Sequence, residues 1–283
     1  MDKISGKTDI FALIGDPVQH SLSPKMHNAA FEYLNLDCVY IPLKVKTRDL
    51  STAVNGLRAL TIKGFNVTAP HKEAVVPLLD RVSQEGGVIA AVNTVKNEEG
   101  ILSGYNTDGE GFIQYVKEQL NVKLKGKKIV MLGLGGAAKS IAFSLCGENV
   151  KSLVIANRNP EKALIYAELL KEISKTAVTG IPLDREIVNA FIKKCDLLIY
   201  GLPTDVIDGG KWFMNPDVLP KDMLLIDLRY YPTETAVMKL AREKGISCFN
   251  GEGMLLYQGI QAFKIFTGQE PPVKIMRNSL QNS

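Results

Sequence analysis

The run Lys128–Leu132 (KIVML) passes directly into Gly133-Leu134-Gly135-Gly136-Ala137-Ala138, and a helical pattern follows from Ala137 to Cys146. The spacing is G-x-G-x-x-A. The first glycine allows a tight turn, the second lets backbone approach a pyrophosphate, and the small third residue lets helix and strand pack closely. The pyrophosphate would rest on free N–H groups at the helix N-terminus. A glycine triplet by itself is a common structural turn. Here a strand precedes it, a helix follows it, and a further strand, Leu153–Ala156 (LVIA), comes next. That context is what the dinucleotide reading requires.

The end of that further strand bears on which dinucleotide. A fold selective for NAD places an acid about 20 residues on, where it binds the ribose 2′-hydroxyl. This chain has Asn157-Arg158 there, with Lys162 a turn later. An arginine at that point suits a 2′-phosphate, which its guanidinium can grip in bidentate fashion. The alternative is that Arg158 is a surface residue after a strand.

The rest of the chain alternates in the same way. Strands are expected at Asp9–Gly15, Asp37–Leu43, Gly64–Thr68, Ala90–Thr94, Ile101–Gly104, Leu197–Tyr200 and Leu224–Leu228. Helices are expected over Ser23–Leu34, Arg48–Leu60, Thr107–Leu120, Pro160–Ile173, Ala236–Lys244 and Met254–Thr267. Ser23-Pro24 reads as an N-cap followed by proline at the first helical position. Thr107 and Glu110 have capping-box spacing. Strands alternating with helices imply an α/β fold built from βαβ units around a parallel sheet. The 283 residues suggest two domains at roughly 150 residues each, with a boundary near Asn106.

Composition excludes several classes. No apolar run approaches the ~18 residues of a membrane span, and the N-terminal MDKISGKTDIFALIG has no signal-peptide core. Cys38, Cys146, Cys195 and Cys248 form no CxxC pair, so neither a zinc ribbon nor a redox dithiol is expected, and a reducing cytoplasm is. The net charge is +4 and aromatics are 7%, without the basic, aromatic-interleaved stripe of a nucleic-acid binder.

The N-terminal part holds polar clusters that packing does not call for. Ser21 and Ser23 sit in H-S-L-S-P just after the first strand, where two hydroxyls and a helix start could hold a carboxylate or simply cap the helix. In N-V-T-A-P-H-K-E (66–73), Thr68 could cap a short helix that Pro77 kinks or ends. Lys72 would then lie in or near its first turn, against the helix dipole, which hints at function. A-V-N-T puts Asn93 at a strand end, and N-T-D-G puts Asp108 at a helix start.

In this order the motifs resemble the shikimate dehydrogenase family over essentially the whole chain. The residues carrying the resemblance are Ser21-Leu-Ser23-Pro, Asn66-Val-Thr68 with Pro70-His-Lys72, and Ala91-Val-Asn93-Thr. Asn106-Thr-Asp108-Gly, Gly133-x-Gly135-Gly136-Ala137, Asn157-Arg158 and Gly251-x-Gly253-Met254 with Gln258 complete it. The resemblance implies an NADP-dependent enzyme of aromatic amino acid biosynthesis that interconverts 3-dehydroshikimate and shikimate. It implies a substrate-binding α/β domain (1–106 with 250–283, the C-terminal helix returning to it) and a Rossmann NADP-binding domain (107–249). Lys72 and Asp108 would be the catalytic pair. Ser21 and Ser23 would bind the carboxylate, and Thr68, Asn93, Asp108 and Gln258 the ring hydroxyls or other polar groups, with Tyr230 near the substrate. Gly133, Gly135, Gly136 and Ala137 would cradle the pyrophosphate. Asn157, Arg158 and Lys162 would surround the adenosine phosphate, and Leu228, Gly251 and Met254 would lie along the nicotinamide. No metal is implied, and the partners expected are the small-molecule substrate and, at most, a second copy of the chain.

The chain departs from the family in places. The family's Asn-Ala/Thr-Thr/Ser-Pro-x-Gly-Met after the fourth Rossmann strand is Tyr200-Gly-Leu-Pro203-Thr204-Asp-Val here. Leu134 replaces the alanine of the usual G-A-G-G turn, Gln84 stands at an often acidic position, and Asn159 replaces a Ser or Thr after Arg158. The rivals are a quinate or dual quinate/shikimate dehydrogenase and a non-catalytic NADP-binding relative. The second is motivated by the altered 200–206 segment and opposed by the intact Lys72 and Asp108.

Overall fold

The computed structural model describes residues 4–204, 207–208, 211–212 and 214–281. The chain divides into two compact units, Met1–Gly111 with Leu255–Ser283, and Phe112–Met254.

In the first unit the elements are β1 (Asp9–Gly15), α1 (Ser23–Tyr33), β2 (Cys38–Lys44), α2 (Leu50–Ala59), β3 (Gly64–Val67), β4 (Arg81–Val82), α3 (Gln84–Ile89), β5 (Thr94–Glu98), β6 (Ile101–Tyr105) and the start of α4 (Asp108–Gln114). The six strands form one sheet in the order β2-β1-β3-β5-β6-β4. It is mixed rather than purely parallel. β1 pairs in parallel with β2 and β3, whereas β3–β5 and the β5–β6 hairpin are antiparallel. The hairpin follows from the short N-E-E-G connection, since parallel neighbours need a crossover of a dozen or more residues. One sheet face buries Ala12, Ile14, Phe65, Val67 and Val95 against Val54 and Leu57 of α2. An aromatic cluster of Phe11, Phe31, Phe263 and Phe266 joins β1 and α1 to the C-terminal part of the chain.

α4 continues as a π-helical turn, Tyr115–Gln119, into the second unit. There the elements are β7 (Lys128–Leu132), α5 (Gly136–Gly147), β8 (Ser152–Asn157), α6 (Pro160–Ile173), β9 (Ala177–Pro182), α7 (Arg185–Ile192) and β10 (Leu197–Tyr200). They continue with the short hairpin β11 (Ile207–Asp208) and β12 (Lys211–Trp212), then β13 (Leu224–Asp227), α8 (Ala236–Glu243) and β14 (Ser247–Phe249). The main sheet, ordered β14-β13-β10-β7-β8-β9, is parallel throughout. That is the doubly wound dinucleotide order, which reverses between β7 and β10. Strands covered on both faces are apolar along their length, and LLIY of β10 is buried at all four positions. α9 (Glu252–Thr267) and α10 (Val273–Gln281) close the chain.

Helix starts follow local chemistry. Asn159 accepts from Lys162 N and Pro160 opens α6, Asp184 accepts from Glu186 N and Ile187 N at α7, and Thr235 accepts from Met238 N at α8. α1 departs from expectation. Its N-cap is Leu22, with no side-chain cap, and Ser23 is already helical and accepts nothing there. No helix among the described residues is long and apolar enough to cross a membrane.

Candidate active site

The segment expected as a helix after Thr68 is a series of turns, ending in a 3₁₀ turn at Val76–Leu78. The reason is a backbone bond from a distant part of the chain. The Lys72 carbonyl accepts from Val92 N at 2.8 Å and so is not used within a helix. Lys72 therefore faces no helix dipole of its own. Its position is set by that backbone bond and by His71, whose buried ring Nε2 lies 2.7 Å from Val45 O.

From this turn Lys72 Nζ donates to Asp108 Oδ2 at 2.6 Å. The pair is largely withdrawn from solvent, with side-chain exposures of 16% and 5%. Asp108 opens α4, where its charge is favoured by the helix N-terminus, and its backbone N–H donates to Asn106 Oδ1 at 3.0 Å. The second carboxylate oxygen accepts from Asn93 Nδ2 at 3.0 Å. The same amide nitrogen lies 2.9 Å from Thr107 Oγ1 and 3.3 Å from Gln258 Oε1. Four of the expected residues, Lys72, Asp108, Asn93 and Gln258, thus meet through direct hydrogen bonds.

Thr68 adjoins the end of β1. Its N–H donates to Ile14 O at 2.9 Å, and a Cβ on Gly15 would stand 2.3 Å from its methyl. Ser21 and Ser23 lie beyond the same strand, with Ser23 N donating to Ser21 Oγ at 3.3 Å. Ser21 and Ser23 are bonded to each other and stand apart from the Lys72–Asp108 hydrogen bond. Three residues outside the expected set belong to the cluster. Thr107 bonds Asn93 through both N–H and hydroxyl, and Asn66 and Thr94 form a buried layer beneath it. Their signal in the sequence was polarity inside otherwise apolar strands, G-F-N-V and A-V-N-T.

The second unit gathers the glycine motif. Gly133 has φ +96°, and a Cβ there would stand 2.8 Å from Gly201 O, so the turn requires glycine. Gly135 is the N-cap of α5 with no side-chain cap, and space is open where its Cβ would be. α5 begins at Gly136, one residue before the expected start, followed by Ala137. A backbone turn with an uncapped helix end and open space before it fits a pyrophosphate. At the end of β8, Asn157 Nδ2 donates to Asn159 O at 3.1 Å, while Arg158 and Lys162 are exposed. Two cations and an amide at this strand end fit a 2′-phosphate. Asn159, which departs from the family pattern, serves as the α6 cap.

Leu228 and Gly251 come together. A Cβ on Gly251 would stand 2.2 Å from Leu228 O, and Gly251 N donates to Arg229 O at 2.9 Å. Buried Asp227 holds this turn through Arg229 and Thr235. Arg229 lies over the Tyr200 ring at 5.1 Å, and Tyr200 donates to Thr204 O at 3.0 Å. The unusual 200–206 segment is thus tied to the Leu228–Tyr230 turn by residues of its own, although Asp205 and Val206 lie outside the described residues. Met254 is buried near the start of α9, and Tyr230 is half-buried.

Residues 13–95 match the shikimate dehydrogenase substrate binding domain, 114–230 the shikimate/quinate 5-dehydrogenase domain and 251–281 the shikimate 5′-dehydrogenase C-terminal domain. The chain is 43% identical over 277 residues to the NADP(+) shikimate dehydrogenase of Geobacter metallireducens, covering 97% of this chain and 96% of that one. The chain belongs to the shikimate dehydrogenase family. Solved members of the family share the whole fold. One, a shikimate dehydrogenase in complex with NADP+, superposes with TM-score 0.86 at 37% identity, over 99% of this chain and 97% of its own. Another, from Thermus thermophilus in complex with NADP(H) and shikimate, gives TM-score 0.83 at 32% identity over 97% and 99%.

Proposed function

We propose that the protein is an NADP-dependent shikimate dehydrogenase, catalysing the reversible reduction of 3-dehydroshikimate to shikimate. The observation that carries this is the Lys72–Asp108 ion pair at 2.6 Å, shielded from water and anchored by Asn93, in a chain of this family. NADPH supplies the hydride when bound. Hydride addition to the C3 carbonyl leaves an alkoxide that needs a proton and a nearby positive charge. The Lys72 ammonium provides both, and the Asp108 carboxylate aims it. In the oxidative direction neutral Lys72 takes the hydroxyl proton back. Acid–base assistance of this kind contributes about 10²–10⁴-fold.

Ser21 and Ser23 bind the substrate carboxylate, and Thr68, Asn93 and Gln258 bind ring hydroxyls, with Tyr230 beside them. Gly133, Gly135, Gly136 and Ala137 would hold the pyrophosphate, and Asn157, Arg158 and Lys162 the adenosine phosphate. Leu228, Gly251 and Met254 would line the nicotinamide. Substrate binding belongs to residues 1–106 with 250–283 and nucleotide binding to 107–249. The four cysteines, all free thiols, suit a reducing cytoplasm. We infer a monomer or homodimer that binds no nucleic acid.

The test is formation of reduced nucleotide from shikimate and from quinate, NADPH with NADP and NADH with NAD. Shikimate with NADP is expected to give the highest kcat/KM. Turnover of quinate in its place would make the protein a quinate dehydrogenase, and turnover of neither would make it a non-catalytic relative.

A further inference from the structure

Beneath the Lys72–Asp108 pair runs a chain of buried polar side chains, Tyr40 on β2, Asn66 on β3, Thr94 on β5, then Asn93 and Asp108. None of the five is more than 6% exposed. Tyr40 Oη lies 2.7 Å from Asn66 Oδ1, Asn66 Nδ2 2.9 Å from Thr94 Oγ1, and Thr94 Oγ1 2.9 Å from Asn93 Oδ1. Asn93 Nδ2 is 3.0 Å from Asp108 Oδ1.

Two backbone groups fix the direction of every bond in this chain. The Asn93 carbonyl, 3.0 Å from the Asn66 amide, can only accept, so the Asn66 NH₂ must face it. Asn66 Oδ1 then faces Tyr40, whose hydroxyl must donate. The other Asn66 N–H occupies Thr94 Oγ1, so the Thr94 proton goes on to Asn93. The Thr107 backbone N–H, 2.9 Å from the Asn93 side chain, can only donate, so the atom facing it is Oδ1. Asn93 Nδ2 is thereby turned towards Asp108. All four links donate in one sense and end on the carboxylate. Hydrogen bonds aligned this way in a low-dielectric interior polarise one another, by roughly 10–30% per bond.

We propose that Tyr40–Asn66–Thr94–Asn93 is a one-way donor relay that holds the Asp108 carboxylate oriented towards Lys72, and that Thr94 and Tyr40 are positioning residues for the reaction. The relay ends on Asp108 Oδ1, while Oδ2 accepts from Lys72, the charged group it faces. An Asn93 amide turned the other way would set a carbonyl against the carboxylate. The proposal rests on the reading of Lys72 and Asp108 as the catalytic pair.

The test compares Thr94→Val, which keeps the shape and deletes the hydroxyl, with Thr94→Ser, which keeps the hydroxyl and deletes a methyl. Tyr40→Phe and Asp108→Asn are measured beside them. For shikimate oxidation, Thr94→Val is expected to lower kcat about tenfold with KM within about threefold. A hydrogen bond on a route to a charge accounts for a loss of that size. Thr94→Ser should stay within about twofold of the parent, and Tyr40→Phe, further along the relay from the carboxylate, should lower kcat by less than Thr94→Val. In an Asp108→Asn background, Thr94→Val should cost nothing further.

Serine being as impaired as valine, a valine loss that falls on KM rather than kcat, or a full valine loss on top of Asp108→Asn would each overturn the relay. Asp108→Asn with parental turnover would instead overturn the catalytic pair. Asp108→Asn inactive beside a parental Thr94→Val would overturn the relay alone.

Discussion

Gly111 of α4 lies so close to Gln258 of α9 that a Cβ on it would stand 2.5 Å from the Gln258 backbone nitrogen and 2.8 Å from its Cα. The obstacle is backbone, which cannot swing aside. Gly111→Ala should therefore move Gln258 off Asn93, to which it is bonded at 3.3 Å. Overpacking of this kind costs about 1–3 kcal/mol. The variant is expected to melt lower and to show a raised KM for shikimate. A parental melting midpoint with parental KM would mean the two helices separate without consequence.

Lys72 and Asp108 serve one proton transfer and should behave as one unit. Lys72→Ala is expected to lower kcat by about two to four decades with little change in substrate affinity. Asp108→Asn keeps the shape and removes the charge that holds the ammonium. It should also cost turnover, and may not be read as a folding defect if the melting midpoint holds. The double variant should be far less impaired than the product of the singles. Losses that multiply would show independent roles.

Ser21 and Ser23 stand together beyond β1. Ser23 gives α1 no side-chain cap, and Ser21 Oγ, which accepts from Ser23 N, still has its proton to donate to a ligand. Changing both to alanine should raise the Michaelis constant for shikimate by about tenfold or more, each charge-assisted bond being worth about 1.5–3 kcal/mol. NADP affinity should stay at the parental value. Unchanged shikimate kinetics in the double variant would remove the pair from the substrate site.

Much of this architecture can be read along the chain, where local chemistry decides it. α6 runs over Pro160–Ile173 as its proline and periodicity predict, with Asn159 capping it. The strand–glycine–helix order at 128–147 likewise survives into the doubly wound sheet. The elements not foreseen among the described residues, β4, α3, β9, α7, β11, β12, β14 and α10, are short strands and short helices, although α7 and α10 are clearly amphipathic. The turn at Lys72 escaped because its deciding bond, from Val92 N, comes from 20 residues away. Tyr40 and Asn66 escaped for the same reason. Their contact spans 26 residues and depends on β2 and β3 flanking β1 in one register.

Arg158 is exposed at the end of β8, with Lys162 one turn along α6 and no acid at the strand end. Arg158→Ala should weaken NADP binding by roughly tenfold or more, at ~1.4 kcal/mol per decade. NAD affinity should change little, since NAD lacks the 2′-phosphate. Titration of both nucleotides checks this. Equal loss for both would make Arg158 a structural residue.

His27 sets an acid limit on stability. Its ring is fully buried, stacked at 4.6 Å and 9° on Tyr40, and both nitrogens lack partners. Burial pushes its pKa from 6.5 down to about 3, because the imidazolium would lose its hydration. The unfolded chain therefore binds a proton that the folded chain refuses between those two values. The stability due to neutral His27 is complete above pH 6.5 and is lost progressively as the pH falls towards 3. At 1.36 kcal/mol per unit, the loss between pH 7 and 4 is about 3 kcal/mol. His27→Leu, which carries no proton, should be less stable at pH 7 through imperfect packing yet fall less steeply with acid. Denaturant unfolding of both proteins at the two pH values measures the slopes. Equal slopes would mean that other groups set the acid limit.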